Sequence, residues 1–95
     1  MSDAAAARRR VTIVNEKGLH ARAATRFVKL AESFEAAILV SRAGISVDAT
    51  SIMGLLMLAA APGSDIELSA RGKQARAALD ALVALVSRGF DEGVQ

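Results

Sequence analysis

The chain has no cysteine, tryptophan or tyrosine, and among its 95 residues there is a single proline and a single histidine. Without cysteine there is no disulfide framework and no thiol nucleophile. A zinc site would need a second Cys or His, and no Gly-rich nucleotide loop is present, so we expect neither a metal nor a cofactor. With only three aromatic residues, all Phe, the core must come from Leu, Ile, Val and Ala.

Long apolar segments and a strong charge imbalance are also missing. The start, MSDAAAARRRV, lacks the apolar core of a signal peptide, and no apolar run reaches membrane-spanning length. The net charge of +2 is too small to indicate nucleic acid. The one basic cluster, Arg8, Arg9 and Arg10, has no aromatic neighbour on which bases could stack. We therefore expect a cytoplasmic protein that binds neither a membrane nor nucleic acid, and we expect a monomer.

Hydrophobic periodicity predicts seven elements in the order β-α-β-β-α-β-α. Alternating apolar residues indicate strands at RVTIVN, AAILVS, ISVDA and DIELSA. Helical spacing of apolar residues begins at Ala21 and again at Ala75, and a short apolar helix begins at Ser51 and runs to about Ala60. One sheet with helices on one face is the economical two-layer arrangement.

The length allows one small domain. We place it at residues 10–90, between a flexible Ala-rich N-terminal tail, residues 1–9, and a C-terminal tail, residues 91–95. The arginine cluster is then interpreted as the solvated edge of the N-terminal tail.

The only histidine, His20, lies where a turn at Gly18 leads into the first predicted helix. A helix start exposes unpaired N–H groups and a partial positive charge, which favour an anion such as phosphate. Arg22 has a planar set of donors that suits phosphate oxygens. Further positive charge comes from Lys17, Arg26 and Lys29.

A neutral imidazole is a competent nucleophile near neutral pH, so His20 could carry a phosphoryl group. Phosphoryl transfer depends mainly on alignment and charge stabilisation, which this arrangement supplies. The residues alone leave a second interpretation open, in which His20 is only an N-cap or a surface polar group.

Ser51 stands at the start of the short apolar helix. We expect it to be the N-cap, a duty that Asp48 and Thr50 could share. It is also a candidate for regulatory phosphorylation, because a phosphate at a helix start is electrostatically favourable. The apolar residues that follow cannot all face one sheet, so some should form a partner surface. Leu55 and Leu58 are expected to be buried.

Two motifs resemble those of the HPr family, the histidine-containing phosphocarriers of the bacterial phosphoenolpyruvate-dependent phosphotransferase system. GLHARAA is followed by RFVKLA, and TSIMGLLML comes later in the chain. The resemblance covers roughly residues 10–90. It implies an α+β open-faced two-layer β-sandwich (βαββαβα), with a four-stranded antiparallel sheet of order 1-4-2-3 covered on one face by three helices.

The resemblance also implies a function. His20 would accept a phosphoryl group on Nδ1 from enzyme I and donate it to an EIIA-type domain, in sugar uptake or nitrogen-related regulation, with Arg22 stabilising the phosphate. The protein would then be a carrier and not a stand-alone catalyst. Ser51 would be a substrate of an HPr kinase/phosphorylase. The partner surface would comprise Ala21, Arg22, Thr25, Lys29, Ile52, Met53 and Leu56.

Ala23 departs from the family pattern, which usually has Pro directly after the motif Arg. Pro is pre-organised for a first helical turn, so Ala23 should loosen this loop slightly. Lys17 is a lesser departure. Two rival functions remain: a purely regulatory homologue acting through Ser51, and an RNA-binding domain that uses the arginine cluster. The intact G-L-H-x-R motif argues against the first, and the shortage of aromatics argues against the second.

Overall fold

The computed structural model describes residues 6–92. The elements follow the predicted order: β1 (Ala7–Thr12), α1 (Ala21–Glu32), β2 (Ala37–Arg42), β3 (Ile45–Asp48), α2 (Ile52–Met57), β4 (Asp65–Arg71) and α3 (Ala75–Ser87). A short 3₁₀ segment, Gly89–Asp91, follows α3. Residues 1–5 of the predicted N-terminal tail and residues 93–95 of the predicted C-terminal tail lie outside the described residues.

The four strands form one antiparallel sheet of order β1-β4-β2-β3. β4 lies between β1, where Val11 is opposite Ile66, and β2, where Val40 is opposite Leu68. These four side chains are buried. Because successive side chains of a strand point to opposite faces, the buried set defines the face that the helices cover. The predicted open-faced sandwich and its strand order are confirmed.

The helices bury the stripes that the sequence spacing indicated. The buried apolar residues of α1 belong to the same core cluster as the buried face of the sheet, and α3 packs on β1 and β4. Burying each large apolar side chain contributes roughly 1.5–3 kcal/mol. The largest fully buried side chains are those of Phe27, Phe90, Ile13, Leu55, Ile66, Leu68, Leu79, Leu82, Val40 and Val86.

Both predicted domain boundaries differ from the structure. β1 begins at Ala7, so residues 7–9 are strand and not tail. Arg8 pairs with Ser69 and Arg9 with Leu68, and the Arg9 guanidinium also donates to Asp80 of α3 at 2.7 Å. Charged residues on an edge strand are a common protection against further strand pairing, and the arginines at the start of β1 fit this pattern.

At the other end, residues 91 and 92 belong to the fold and not to the predicted C-terminal tail. Phe90 is fully buried and has a left-handed backbone with φ of 58°. Its burial turns the chain back towards the start of α1. The short helix also differs from the prediction, because α2 ends at Met57 and the chain then turns through Ala59, at φ of 50°.

Candidate functional site

The loop before α1 is tightly docked against the segment that follows α2. The Leu19 N–H donates to the Ala60 carbonyl oxygen at 2.9 Å. Gly18 has a φ of +66°, and a Cβ added there would lie 2.6 Å from the same carbonyl oxygen. Only glycine therefore fits this approach, and the close contact fixes the entrance of α1.

His20 occupies the N-cap position of α1 in an extended conformation, with φ of −86° and ψ of −178°. Its carbonyl oxygen accepts from the Ala24 N–H at 2.8 Å, but its side chain makes no capping hydrogen bond. His20 is therefore the N-cap residue by position, as one of the two interpretations expected, but its imidazole does not cap the helix. The imidazole is 27% exposed, so it is both held by the fold and accessible.

The imidazole contacts a residue that the sequence did not single out. His20 Nε2 is hydrogen-bonded to Glu92 Oε2, and the other oxygen, Oε1, accepts from Asn15 Nδ2 at 3.0 Å. Asn15 Nδ2 also donates to the Gly18 carbonyl oxygen at 2.8 Å. Asn15 is only 7% exposed. The site thus includes a chain of contacts from the Gly18 loop through Asn15 and Glu92 to His20.

Glu92 is a carboxylate in this setting. Burial on its own would raise the pKa of Glu92, but the hydrogen bonds from Asn15 and His20 outweigh it. Charge interactions with His20 and Arg26 act in the same direction, so the pKa of Glu92 lies below its ordinary value. An ionised carboxylate can only accept hydrogen bonds.

Arg22 is exposed in the first turn of α1. It lines a depression together with Asn15, Lys17, Arg26 and Glu92, and the last of these residues contacts His20. Within residues 6–92, no hydrogen bond or ion pair engages its guanidinium. The first turn contains no acidic residue. A cation at the positive end of the helix dipole is unfavourable unless an anion is bound, so this arrangement suits an anionic ligand.

Two further cations of α1, Arg26 and Lys29, lie farther along the helix than Arg22. Arg26 Nη1 donates to the Phe90 carbonyl oxygen, which ties α1 to the C-terminal segment. Lys29 is exposed in the last turn of α1, away from the helix start. Of the three cations on α1, only Arg22 lies in the first turn, two residues after His20.

Ser51 is the N-cap of α2, as predicted, and its Oγ accepts from the Gly54 N–H at 2.9 Å. Asp48 does not share this duty. Its Oδ1 accepts from the Thr50 side chain and N–H at 2.6 and 2.8 Å, and these bonds hold the pKa of Asp48 below its usual value.

The predicted partner surface is exposed to different degrees. α1 packs against α2, with Ala21, Lys29, Ile52 and Met53 exposed and with Thr25 and Leu56 half-buried. Met53 is 70% exposed, and Met57, which was not predicted, is 69% exposed. Leu55 and Leu58 are buried, as expected. The role of this surface in partner binding stays a prediction.

Between residues 6 and 92, no helix is both long and apolar enough to cross a membrane. In the same stretch, no cluster of three or more His, Asp or Glu side chains is arranged to hold a metal ion.

The fold and the site define a class of small α+β protein, in which an open-faced sandwich presents one histidine at the entrance of its first helix. Residues 7–88 match the family described as "PTS HPr component phosphorylation site". The chain belongs to the HPr family, the phosphocarriers of the bacterial phosphotransferase system.

Individual relatives cover nearly the whole chain. Phosphocarrier protein HPr of Cupriavidus necator is 47% identical over 85 residues, which is 90% of this chain and 96% of that protein. Phosphocarrier protein NPr of Shewanella violacea is 49% identical over 84 residues, which is 88% of this chain and 92% of that protein. A crystal structure of HPr from Thermoanaerobacter tengcongensis has a TM-score of 0.88 at 38% identity, covering 93% of this chain and 99% of that one.

Proposed function

We propose that the protein accepts a phosphoryl group on Nδ1 of His20 from phosphorylated enzyme I and passes it to an EIIA-type domain. The observation that carries this proposal is the state of the imidazole at the helix entrance. Its Nε2 is held by Glu92, whereas no hydrogen bond within residues 6–92 engages its Nδ1. The family match supports the same assignment.

The surroundings of His20 suit phosphoryl transfer. The transferred group spreads negative charge over its equatorial oxygens, and catalysis consists mainly of alignment and stabilisation of that charge. The N–H groups of the first turn of α1 and the Arg22 guanidinium are the donors that serve this purpose. No cofactor is needed, because the partner proteins bring the phosphoryl donor and the acceptor.

The relatives named HPr and NPr match at nearly equal identity. We therefore propose the transfer step that HPr and NPr phosphocarriers have in common, in sugar uptake or in nitrogen-related regulation. We propose that the step takes place in the cytoplasm. We also propose that a monomer performs it, because one chain carries His20, Arg22 and Glu92 together.

The direct test uses purified enzyme I and phosphoenolpyruvate. The wild-type protein should gain one acid-labile, base-stable phosphate, and His20→Ala should gain none. Phosphorylation of the His20→Ala variant would remove His20 from the proposal. Circular dichroism of the variant checks that the fold is retained, which we expect because the imidazole makes no capping bond.

Arg22→Ala, in the same assay, should fold normally and accept phosphate more slowly. Arg8→Ala is the matched control, since Arg8 is an exposed arginine of β1 and takes no part in the site. Equal rates for both variants would mean that Arg22 does not stabilise the phosphoryl group.

A second function, regulation through Ser51, is favoured by one observation. Ser51 caps a helix whose neighbouring residues, Ile52 and Met53, are exposed apolar side chains. A phosphate added by an HPr kinase/phosphorylase would place negative charge at this surface without opposing the helix dipole. A purely regulatory homologue would rely on this site alone, and an idle His20 in the phosphate assay would favour it.

A further inference from the structure

Asn15 and Glu92 surround His20 although neither belongs to the G-L-H-x-R motif. Glu92 is 72 positions away in the sequence, and its carboxylate joins the imidazole with one oxygen and the Asn15 amide with the other. The two acceptors of Asn15 Nδ2, Gly18 O and Glu92 Oε1, fix the amide orientation, because an oxygen in place of Nδ2 would face two other oxygens.

The side-chain oxygen of Asn15 differs from its Nδ2. Its Oδ1 is buried and has no hydrogen-bond partner within residues 6–92. A buried acceptor without a partner costs roughly 1–3 kcal/mol. The Asn15 amide thus donates to both Glu92 and the Gly18 loop through Nδ2.

The segment that carries Glu92 is firmly attached to the rest of the domain. Phe90 is fully buried, and its carbonyl oxygen accepts from Arg26 of α1. The Glu92 N–H donates to the Gly89 carbonyl oxygen at 3.0 Å. The carboxylate therefore reaches His20 from an anchored turn.

The contact determines which ring nitrogen is free to react. A neutral imidazole has one N–H donor and one nitrogen with a lone pair. An ionised carboxylate can only accept, so the nitrogen that meets Glu92 must carry the proton. Nδ1 of His20 then holds the lone pair.

We propose that Glu92 is a positioning residue for phosphoryl transfer. Held by Asn15, it keeps the proton on Nε2 of His20 and presents Nδ1 as the nitrogen that bonds phosphorus. The inference deepens the proposed function and rests on it.

In the transfer step, the Nδ1 lone pair forms the new N–P bond. The bond between phosphorus and the donor protein breaks, and its electron pair leaves with the donor. The proton stays on Nε2, so the ring acquires positive charge next to the Glu92 carboxylate, which offsets it as the buried aspartate of a catalytic triad offsets an imidazolium. Transfer to the acceptor reverses these changes.

The first readout does not need phosphorylation. Nitrogen-15 chemical shifts of the neutral His20 ring should show the Nε2–H tautomer alone in the wild-type protein. Glu92→Ala should give a mixture of both tautomers, and Glu92→Gln, whose amide oxygen can still accept, should give an intermediate result. Asp91→Asn is the matched control, because Asp91 pairs with Arg88 at 2.8 Å, and it should match the wild type.

Asn15→Ala should shift the tautomers in the same direction as Glu92→Ala. Added to Glu92→Ala, it should bring no further shift, because Asn15 acts on the ring through Glu92. A further shift in the double variant would mean that Asn15 acts independently and would overturn its place in the proposal.

The second readout is the rate of phosphorylation by enzyme I at saturating donor. Glu92→Ala should lower it roughly tenfold, the lower end of the loss found when the hydrogen-bond partner of a metal-ligating histidine is removed, and Asp91→Asn should leave it unchanged. If neither the tautomer nor the phosphorylation rate changes in Glu92→Ala, while the wild-type protein is phosphorylated, the positioning role of Glu92 is overturned. A wild-type protein that accepts no phosphate would instead overturn the proposed function.

Discussion

At the scale of single residues, the entrance of α1 depends on a glycine as much as on the histidine. Gly18 has a left-handed backbone, and its Cα faces the Ala60 carbonyl oxygen so closely that a methyl group would lie 2.6 Å from it. The same carbonyl accepts from Leu19, the residue before His20. A displaced Gly18 would therefore move the reactive ring and the acceptor that Asn15 Nδ2 uses.

Gly18→Ala tests this packing. The unfolding free energy should fall by about 1–3 kcal/mol more than in Gly63→Ala, because overpacking of a tight site costs about that much. Gly63 is the matched control: its φ is +89°, so the backbone strain is similar, but a Cβ there has open space. Chemical denaturation measures both variants. Equal losses would show that the 2.6 Å approach relaxes without cost.

The residues of the site differ in how far the sequence could predict them. His20 and Arg22 could be found from a glycine turn, a helix start and a motif, all within five positions. Glu92 could not, since it meets His20 only because Phe90 is buried and turns the chain back. Asn15 stands beside the motif, but its role depends on Glu92, so nothing local indicates it.

At the scale of elements, α2 combines a conventional cap with an unusual surface. Ser51 caps the helix through Gly54, while Met53 and Met57 are largely exposed. Met side chains adapt to several partners, which suits a surface shared by a phosphoryl donor and an acceptor. Ser51 is adjacent to the exposed apolar residues of α2, so a negative charge on Ser51 would change the electrostatic environment of that surface.

Ser51→Asp should keep α2 folded, because Asp is as good an N-cap as Ser. It should weaken binding to enzyme I by roughly tenfold, about 1.4 kcal/mol, because it adds a negative charge beside apolar contacts. Isothermal titration measures the affinity. Ser46→Asp, which adds the same charge at an exposed position of β3, is the control. If both variants bind like the wild type, Ser51 is only a cap.

Hydrophobic periodicity predicted all four strands and the three α-helices, but it did not predict the residues at which they begin and end. The sequence places the start of β1 too late, because its arginines do not alternate with apolar residues. The strand begins at Ala7 because its backbone pairing with β4 continues to that residue. The sequence also predicts α2 to be too long. Its apolar run indicates which residues are buried or in contact, but it does not mark the residue at which the helix ends. The turn at Gly89–Asp91 shows no periodic pattern of apolar residues, so the sequence does not predict it and only its packing in the fold defines it.

At the scale of the whole molecule, the strand order came from the family resemblance and not from periodicity. Local patterns define which residues are strands, but the order β1-β4-β2-β3 depends on long-range pairing between distant segments. The same long-range packing brings the end of α3 to the start of α1. The site is therefore built from both ends of the described chain, and an intact fold is required to orient His20.

We propose that the phosphoryl group is carried by a single nitrogen, Nδ1 of His20. The most direct test is nitrogen-15 and phosphorus-31 NMR of the protein phosphorylated by enzyme I and phosphoenolpyruvate. We predict a single phosphoryl group, coupled to Nδ1 of His20, that disappears when an EIIA-type domain is added. A phosphoryl group on Nε2 or on another residue, or one that no EIIA-type domain removes, would rule out this carrier role of His20 Nδ1.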